Sequence, residues 1–196
     1  MDAETGHVLE KINPDNWVLD LGCGYGRLIP DIAQKAKIVI GVDKSMSSLM
    51  LAKEKLKTIR NHALFGMNAI KLAFKDMVFD VVLCVQNGIS AFHVNPKTLI
   101  KESIRVTKPK GKVLFSTYSE KFWNHRLKWF QIQADAGLLG KIDYTKTGNG
   151  VIVCKDGFRA TTMRKEQFIE LTSEFDVNIE IVEVDQSSLF CEITVL

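Results

Sequence analysis

The stretch VLDLGCGYGR, residues 18–27, sets three glycines between a short apolar run and an arginine. Glycines crowded in this way mark a backbone that must turn sharply, or one approached so closely that side chains are excluded. They stand at Gly22, Gly24 and Gly26, a GxGxG spacing. The dinucleotide-binding fingerprint has its third glycine one residue later, where this chain has Arg27. No Gly-Lys-Ser/Thr follows, so the loop is not a P-loop. Asp20, two residues before Gly22, would also repel a phosphate.

Working outward from the loop, short apolar runs alternate with helical patterns, which predicts a parallel sheet wrapped by helices. NWVLDL reads as a buried strand, followed by a helix over GRLIPDIAQKA with Pro30 in its first turn. IVIGVD is a second strand, and SMSSLMLAKEKLKTIR a helix from Ser45 with Leu49, Ala52 and Leu56 on one face. ALFGMNA, FDVVLCV and KVLFSTYS supply further strands, the last preceded by a helix over NPKTLIKESIRVT and a turn at KPKG. Residues 119–160 break the alternation with an aromatic-rich FWNHRLKWF and an expected hairpin around Gly148–Gly150. A helix over RKEQFIELTSEF and the strands VNIEIVEV and LFCEITVL close the chain. Only about three residues separate those two strands, so they must pair antiparallel. The expected fold is one α/β domain over residues 1–196. It is doubly wound, a three-layer sandwich around a seven-stranded, mostly parallel sheet with an antiparallel last strand, and residues 119–160 form an inserted lid or hairpin.

With the phosphate loops set aside, VLDLGCGYG resembles the first motif of the class I S-adenosylmethionine-dependent methyltransferases. The resemblance covers residues 16–117 and the terminal strand pair. It implies that Asp20 faces the cationic amino-acid end of S-adenosylmethionine, and that the cofactor lies against Gly22, Cys23, Gly24, Tyr25, Gly26 and Arg27. Asp43, ending the second strand beside Lys44 and Ser45, corresponds to the acid that accepts hydrogen bonds from both ribose hydroxyls. A cap on the next helix is the plainer role for Asp43. Asn68 stands where the family often has an aspartate near the adenine amino group, with Ala69 beside it. Val85, Gln86 and Asn87 follow the fourth strand, at the sheet end where open α/β folds bind ligands.

Methyl transfer from a sulfonium needs alignment of the nucleophile more than a base. If the acceptor is protonated, His93, Tyr118 and His125 are the candidate bases, against plainer roles as surface histidines and a packing tyrosine. After the fourth strand the chain reads QNGI, without the motif of amino-methylating nucleic-acid enzymes. Cys84 lies inside a strand, as a core residue does. No acidic cluster suggests a metal. Phe122, Trp123, Trp129 and Phe130 are candidates to roof an acceptor pocket, or else to pack as the apolar face of a helix. The expected reaction is transfer to an O or N atom of a small molecule, releasing S-adenosylhomocysteine. The alternatives are RNA or protein methylation, or a non-catalytic cofactor-binding subunit.

Composition agrees with these expectations. The 196 residues are 46% hydrophobic and 25% charged with a net charge of +3, which is globular and not strongly basic, so no nucleic-acid partner is expected. The four cysteines form no CxxC pair, no apolar run reaches membrane-spanning length and the first residues are polar, so a cytoplasmic protein is expected.

Overall fold

The computed structural model describes residues 2–196. In chain order, α1 (Asp2–Glu10) precedes β1 (Trp17–Leu21), α2 (Ile29–Ala33), β2 (Ile38–Asp43), α3 (Met46–Lys55), β3 (His62–Gly66) and β4 (Phe79–Cys84). Then follow α4 (Gly88–Ala91), α5 (Pro96–Val106), β5 (Thr107–Tyr118), α6 (Trp123–Asp135), the short β6 (Ile152–Val153) and β7 (Arg159–Ala160), α7 (Lys165–Thr172), β8 (Val177–Val184) and β9 (Ser188–Val195). The main sheet has seven strands in the order β3-β2-β1-β4-β5-β9-β8. Strands β1 to β5 run parallel, and β9 runs antiparallel to both β5 and β8.

The apolar runs of β1, β2 and β4 are buried because both sheet faces are covered. On one face Val8 and Ile12, Ile29 and Ile32, and Leu49, Ala52 and Leu56 pack on the sheet. On the other, Leu99 and Ile100 from α5 and Phe168 from α7 cover Leu19, Val82 and Phe115. Ser45 caps α3 by accepting from the Ser48 N–H, and Asn95 caps α5 by accepting from the Thr98 N–H. The chain winds outward from β1 to β3, then returns to place β4 on the other side of β1. That reversal opens a crevice beyond the carboxyl ends of β1 and β4.

Two local expectations are corrected. No free turn separates α5 from the next strand. The KPKG segment is drawn into β5 as a bulge, where the pairing jumps from Phe79↔Thr107 to Val81↔Lys112 and Lys110 takes φ +63°. The segment is held there by Lys108, whose Nζ donates to Asp80 at 2.8 Å. Gly148–Gly150 is a tight turn closed by mutual Gly148 and Val151 backbone bonds, and the hairpin proper is β6–β7, one step later. Its residues join α6 in a small core of their own around Phe130, Ile142, Ile152 and Cys154. The polar N-terminal stretch is the helix α1, fixed to the sheet where buried Glu192 accepts from His7 Nε2 at 2.6 Å and Lys11 Nζ at 2.9 Å. Burial pushes the Glu192 carboxyl up, but these two partners outweigh it and hold it below the ordinary glutamate value.

Candidate active site

The glycine loop leaves β1 by a turn in which Gly22, Gly24 and Gly26 all take positive φ. Gly22 and Cys23 donate backbone N–H bonds to the Val42 carbonyl, so the loop is fastened to the end of β2. The Asp43 carboxylate completes the fastening: Oδ2 accepts from the Gly24 N–H and Oδ1 from the Ser45 N–H, both at 2.8 Å. Asp43 therefore ties the glycine loop to the entry of α3 without capping that helix, whose cap is Ser45, and each oxygen keeps a lone pair for a ligand.

Two clefts meet at Gly22. The first is lined by Gly22, Asp43, Lys44, Asn68 and Ala69, with Phe92 and Val94 on its far wall. Asn68 Oδ1 accepts from the Ile70 N–H and shapes that turn. The second cleft, of about 440 Å³, contains Cys23, Gly24, Tyr25, Arg27, Gln86, Asn87 and Tyr118, roofed by Phe122 and Trp129. Of the proposed roof residues, Trp123 lines a neighbouring cavity and Phe130 is core. Asp20, Gly26, Ser45 and Val85 stand behind the walls and line neither cleft.

The three candidate bases fare differently. His93 and His125 are exposed and line neither cleft, and His125 stacks on Phe122 with ring centroids 5.3 Å apart. Tyr118 lines the second cleft, but burial raises its phenol above the ordinary value, opposed by Arg126 and aided by Glu4. At neutral pH it is a hydrogen-bond donor. Asn87 is committed to the fold, donating to the Thr161 carbonyl and accepting from Thr117 Oγ1.

Three wall residues lay outside the sequence reading. Glu4 reaches the second cleft from α1, buried, and accepts from the Gln86 N–H and from Ser116 Oγ. The i,i+4 pair Glu4 and Val8, both buried, was the sequence signal for that inward face. Phe92 lies against Gly22 and Gly88, and only its place in the stretch VQNGISAFH after the fourth strand, not its residue type, marked it. Arg126 is buried within α6, between the positions of Phe122 and Phe130 at four-residue spacing.

Electrostatics set the loop apart from a simple turn. Asp20 is 4% exposed, and burial lifts its carboxyl from 3.8 to about 7, with Arg27 lowering it and Asp43 raising it further. The Arg27 Nη2 is buried without a hydrogen-bond partner among the described residues, and the face of Gly24 meets nothing within 4 Å. A ligand carboxylate would partner Arg27, which lines the second cleft beside the open glycine, while the negative potential of Asp20 behind the wall favours an ammonium on the same ligand. The residues present thus fit an amino-acid moiety such as that of S-adenosylmethionine.

Residues 18–111 match the family model described as a methyltransferase domain. That region, just under half of the chain, is similar to methyltransferase domains. It is 35% identical over 107 residues to a ubiquinone biosynthesis O-methyltransferase from Coxiella burnetii, covering 54% of this chain and 44% of the relative. The chain thus spans less than half of that relative's length. Among solved structures, the PH0226 protein from Pyrococcus horikoshii OT3 has a TM-score of 0.75 at 23% identity, over 100% of this chain and 89% of that one. The N-methyltransferase NodS from Bradyrhizobium japonicum WM9, in complex with S-adenosyl-L-homocysteine, has a TM-score of 0.64 at 13% identity, over 97% and 85% of the two chains. Both structures share the fold.

The raised Asp20 carboxyl makes a pH prediction. The folded protein holds this proton more tightly than the unfolded chain, so the Asp20 contribution to stability falls as pH rises from about 4 to about 7. A cationic ligand beside Asp20 favours the charged form. Titrating S-adenosylhomocysteine at pH 6, in buffers of different ionisation enthalpy, should therefore release roughly one proton per ligand. The same titration at pH 8.5 should release essentially none. Equal release at both pH values contradicts the placement of the ammonium at Asp20.

Proposed function

We propose that this chain transfers the methyl group of S-adenosylmethionine to an oxygen or nitrogen atom of a small-molecule acceptor. The observation that carries the reading is the meeting of two clefts at Gly22, one passing Asp43 and Asn68, the other roofed by aromatic side chains. The cofactor, when bound, supplies an activated sulfonium methyl group. Asp43 and Asn68 hold the nucleoside, and Lys44 and Ala69 complete its wall. Arg27 and the open glycine loop hold the amino-acid end, with Asp20 behind them favouring its ammonium. Phe122, Trp129 and Tyr118 orient the acceptor and exclude water, which is most of the catalysis an in-line displacement requires.

Where the acceptor loses a proton, Glu4 is the better-placed base, because its carboxylate lines the acceptor cleft while His93 and His125 lie outside it. Replacing Glu4 with Gln is expected to lower kcat by about 100-fold or more at neutral pH. The loss should shrink with acceptors already deprotonated. Equal losses for both acceptor types would remove Glu4 from proton transfer.

The ubiquinone-pathway relative acts on a small molecule by name, which supports the acceptor class. No helix among the described residues is long and apolar enough to cross a membrane. A cytoplasmic enzyme without a nucleic-acid partner is the reading we adopt. The direct test is formation of S-adenosylhomocysteine from S-adenosylmethionine against a panel of phenols, carboxylates and amines. Turnover with none of these, together with turnover on RNA or a protein, would replace the small-molecule assignment.

A further inference from the structure

A third cavity opens beside the acceptor cleft and shares Tyr118 with it. It is lined by Arg126 and Arg164 together with Glu120, Trp123 and the turn Asn149–Gly150. Arg126 is 1% exposed, yet no carboxylate among the described residues lies within ion-pair distance of it. Its guanidinium donates to the Gly150 carbonyl at 2.8 Å and to the Thr161 carbonyl at 3.4 Å. It stands 5.1 Å from the Tyr118 ring centroid and 5.5 Å from that of Phe130, and its Nε has no hydrogen-bond partner. Arg164 has one acidic partner, the exposed Glu120, at 3.1 Å.

Burying a guanidinium with no counter-charge is expensive, because neutral carbonyls and ring faces return only part of the lost hydration. A hydrophobic side chain at this position would continue the stripe of Phe122 and Phe130 at no such cost. Two arginines against one glutamate also leave the cavity positive. We propose that this cavity binds the anionic group, a carboxylate or a phosphate, of the methyl acceptor, with Arg126 as its principal ligand. The planar fork of a guanidinium matches both groups. The acceptor would then reach past Tyr118, its anionic end at Arg126 and its nucleophile toward Gly22. This rests on the methyl-transfer reading for the identity of the occupant, but anion binding can be measured without turnover.

The test is calorimetric titration of the whole chain at low salt with benzoate, phenyl phosphate and benzamide as probes, and separately with S-adenosylhomocysteine. At least one anion should bind about tenfold more tightly than the amide. Whichever anion is preferred tells carboxylate from phosphate. The preference should disappear in Arg126→Met. Equal binding of all three probes, or an anion preference that survives Arg126→Met, overturns the proposal. Glu120→Gln, on the exposed rim, provides a second route should the first variant not fold. Removing the competing carboxylate should tighten anion binding about threefold, and unchanged or weaker binding counts against the site. Anion preference without S-adenosylhomocysteine binding would uphold the site and overturn the methyl-transfer reading.

Discussion

Replacing Gly22 with alanine is expected to destabilise the protein by about 2–5 kcal/mol, from two separable causes. Gly22 sits at φ +71°, where a Cβ meets the following carbonyl and costs about 1–2 kcal/mol. The new methyl would also fall within the Phe92 ring, which lies against the bare glycine. Displacing a packed ring costs about 1–3 kcal/mol more. Urea denaturation of Gly22→Ala, Phe92→Leu and the double variant separates the terms. The smaller side chain at residue 92 should recover the steric part of the loss and leave the backbone part. Strictly additive losses would mean that Phe92 does not press on Gly22. Both clefts border Gly22, so the variant should also lose cofactor binding at temperatures where it remains folded.

The second large effect is expected at Asp43. Its two oxygens hold the Gly24 and Ser45 N–H groups and line the first cleft at the same time. Asp43→Ala removes charge-assisted hydrogen bonds to a ribose and also frees the glycine loop. Together these should weaken S-adenosylhomocysteine binding by about 1–3 kcal/mol, roughly 5- to 150-fold. Asp43→Asn keeps one acceptor oxygen and should fall between the wild type and the alanine variant. If Asp43 served only to fasten the loop, both variants would lose stability while affinity per folded molecule stayed constant.

The glycine loop carried most of what the sequence could say. Its spacing, together with the acids at Asp20 and Asp43, led to the fold family. The alternating apolar runs led to the seven-stranded sheet, because strands covered on both faces are mostly apolar. The separation of β8 and β9 forced their antiparallel pairing. What escaped were features that depend on contacts distant in sequence. The α1 helix is polar by composition, and beyond the Glu4–Val8 pair its inward face is set by where Glu192 and Ser116 lie in the folded sheet. The bulge at Lys108–Gly111 looks like a turn because its glycine and proline are turn residues, but pairing with β4 draws it into a strand. His93 and His125 were attractive for their chemistry alone, and the fold leaves both on the surface. Arg126 was legible in principle, as a charge in the middle of the four-residue stripe from Phe122 to Phe130. Without knowing what covered that stripe, it could equally have been solvent-facing.

The most direct test of the central claim is calorimetric titration of the purified chain with S-adenosylmethionine, S-adenosylhomocysteine and NAD. The account predicts binding of both adenosyl compounds with dissociation constants on the order of micromolar, and none of NAD, whose fingerprint glycine is replaced by Arg27. Binding of NAD in preference to the adenosyl compounds, or binding of none of the three, would contradict it.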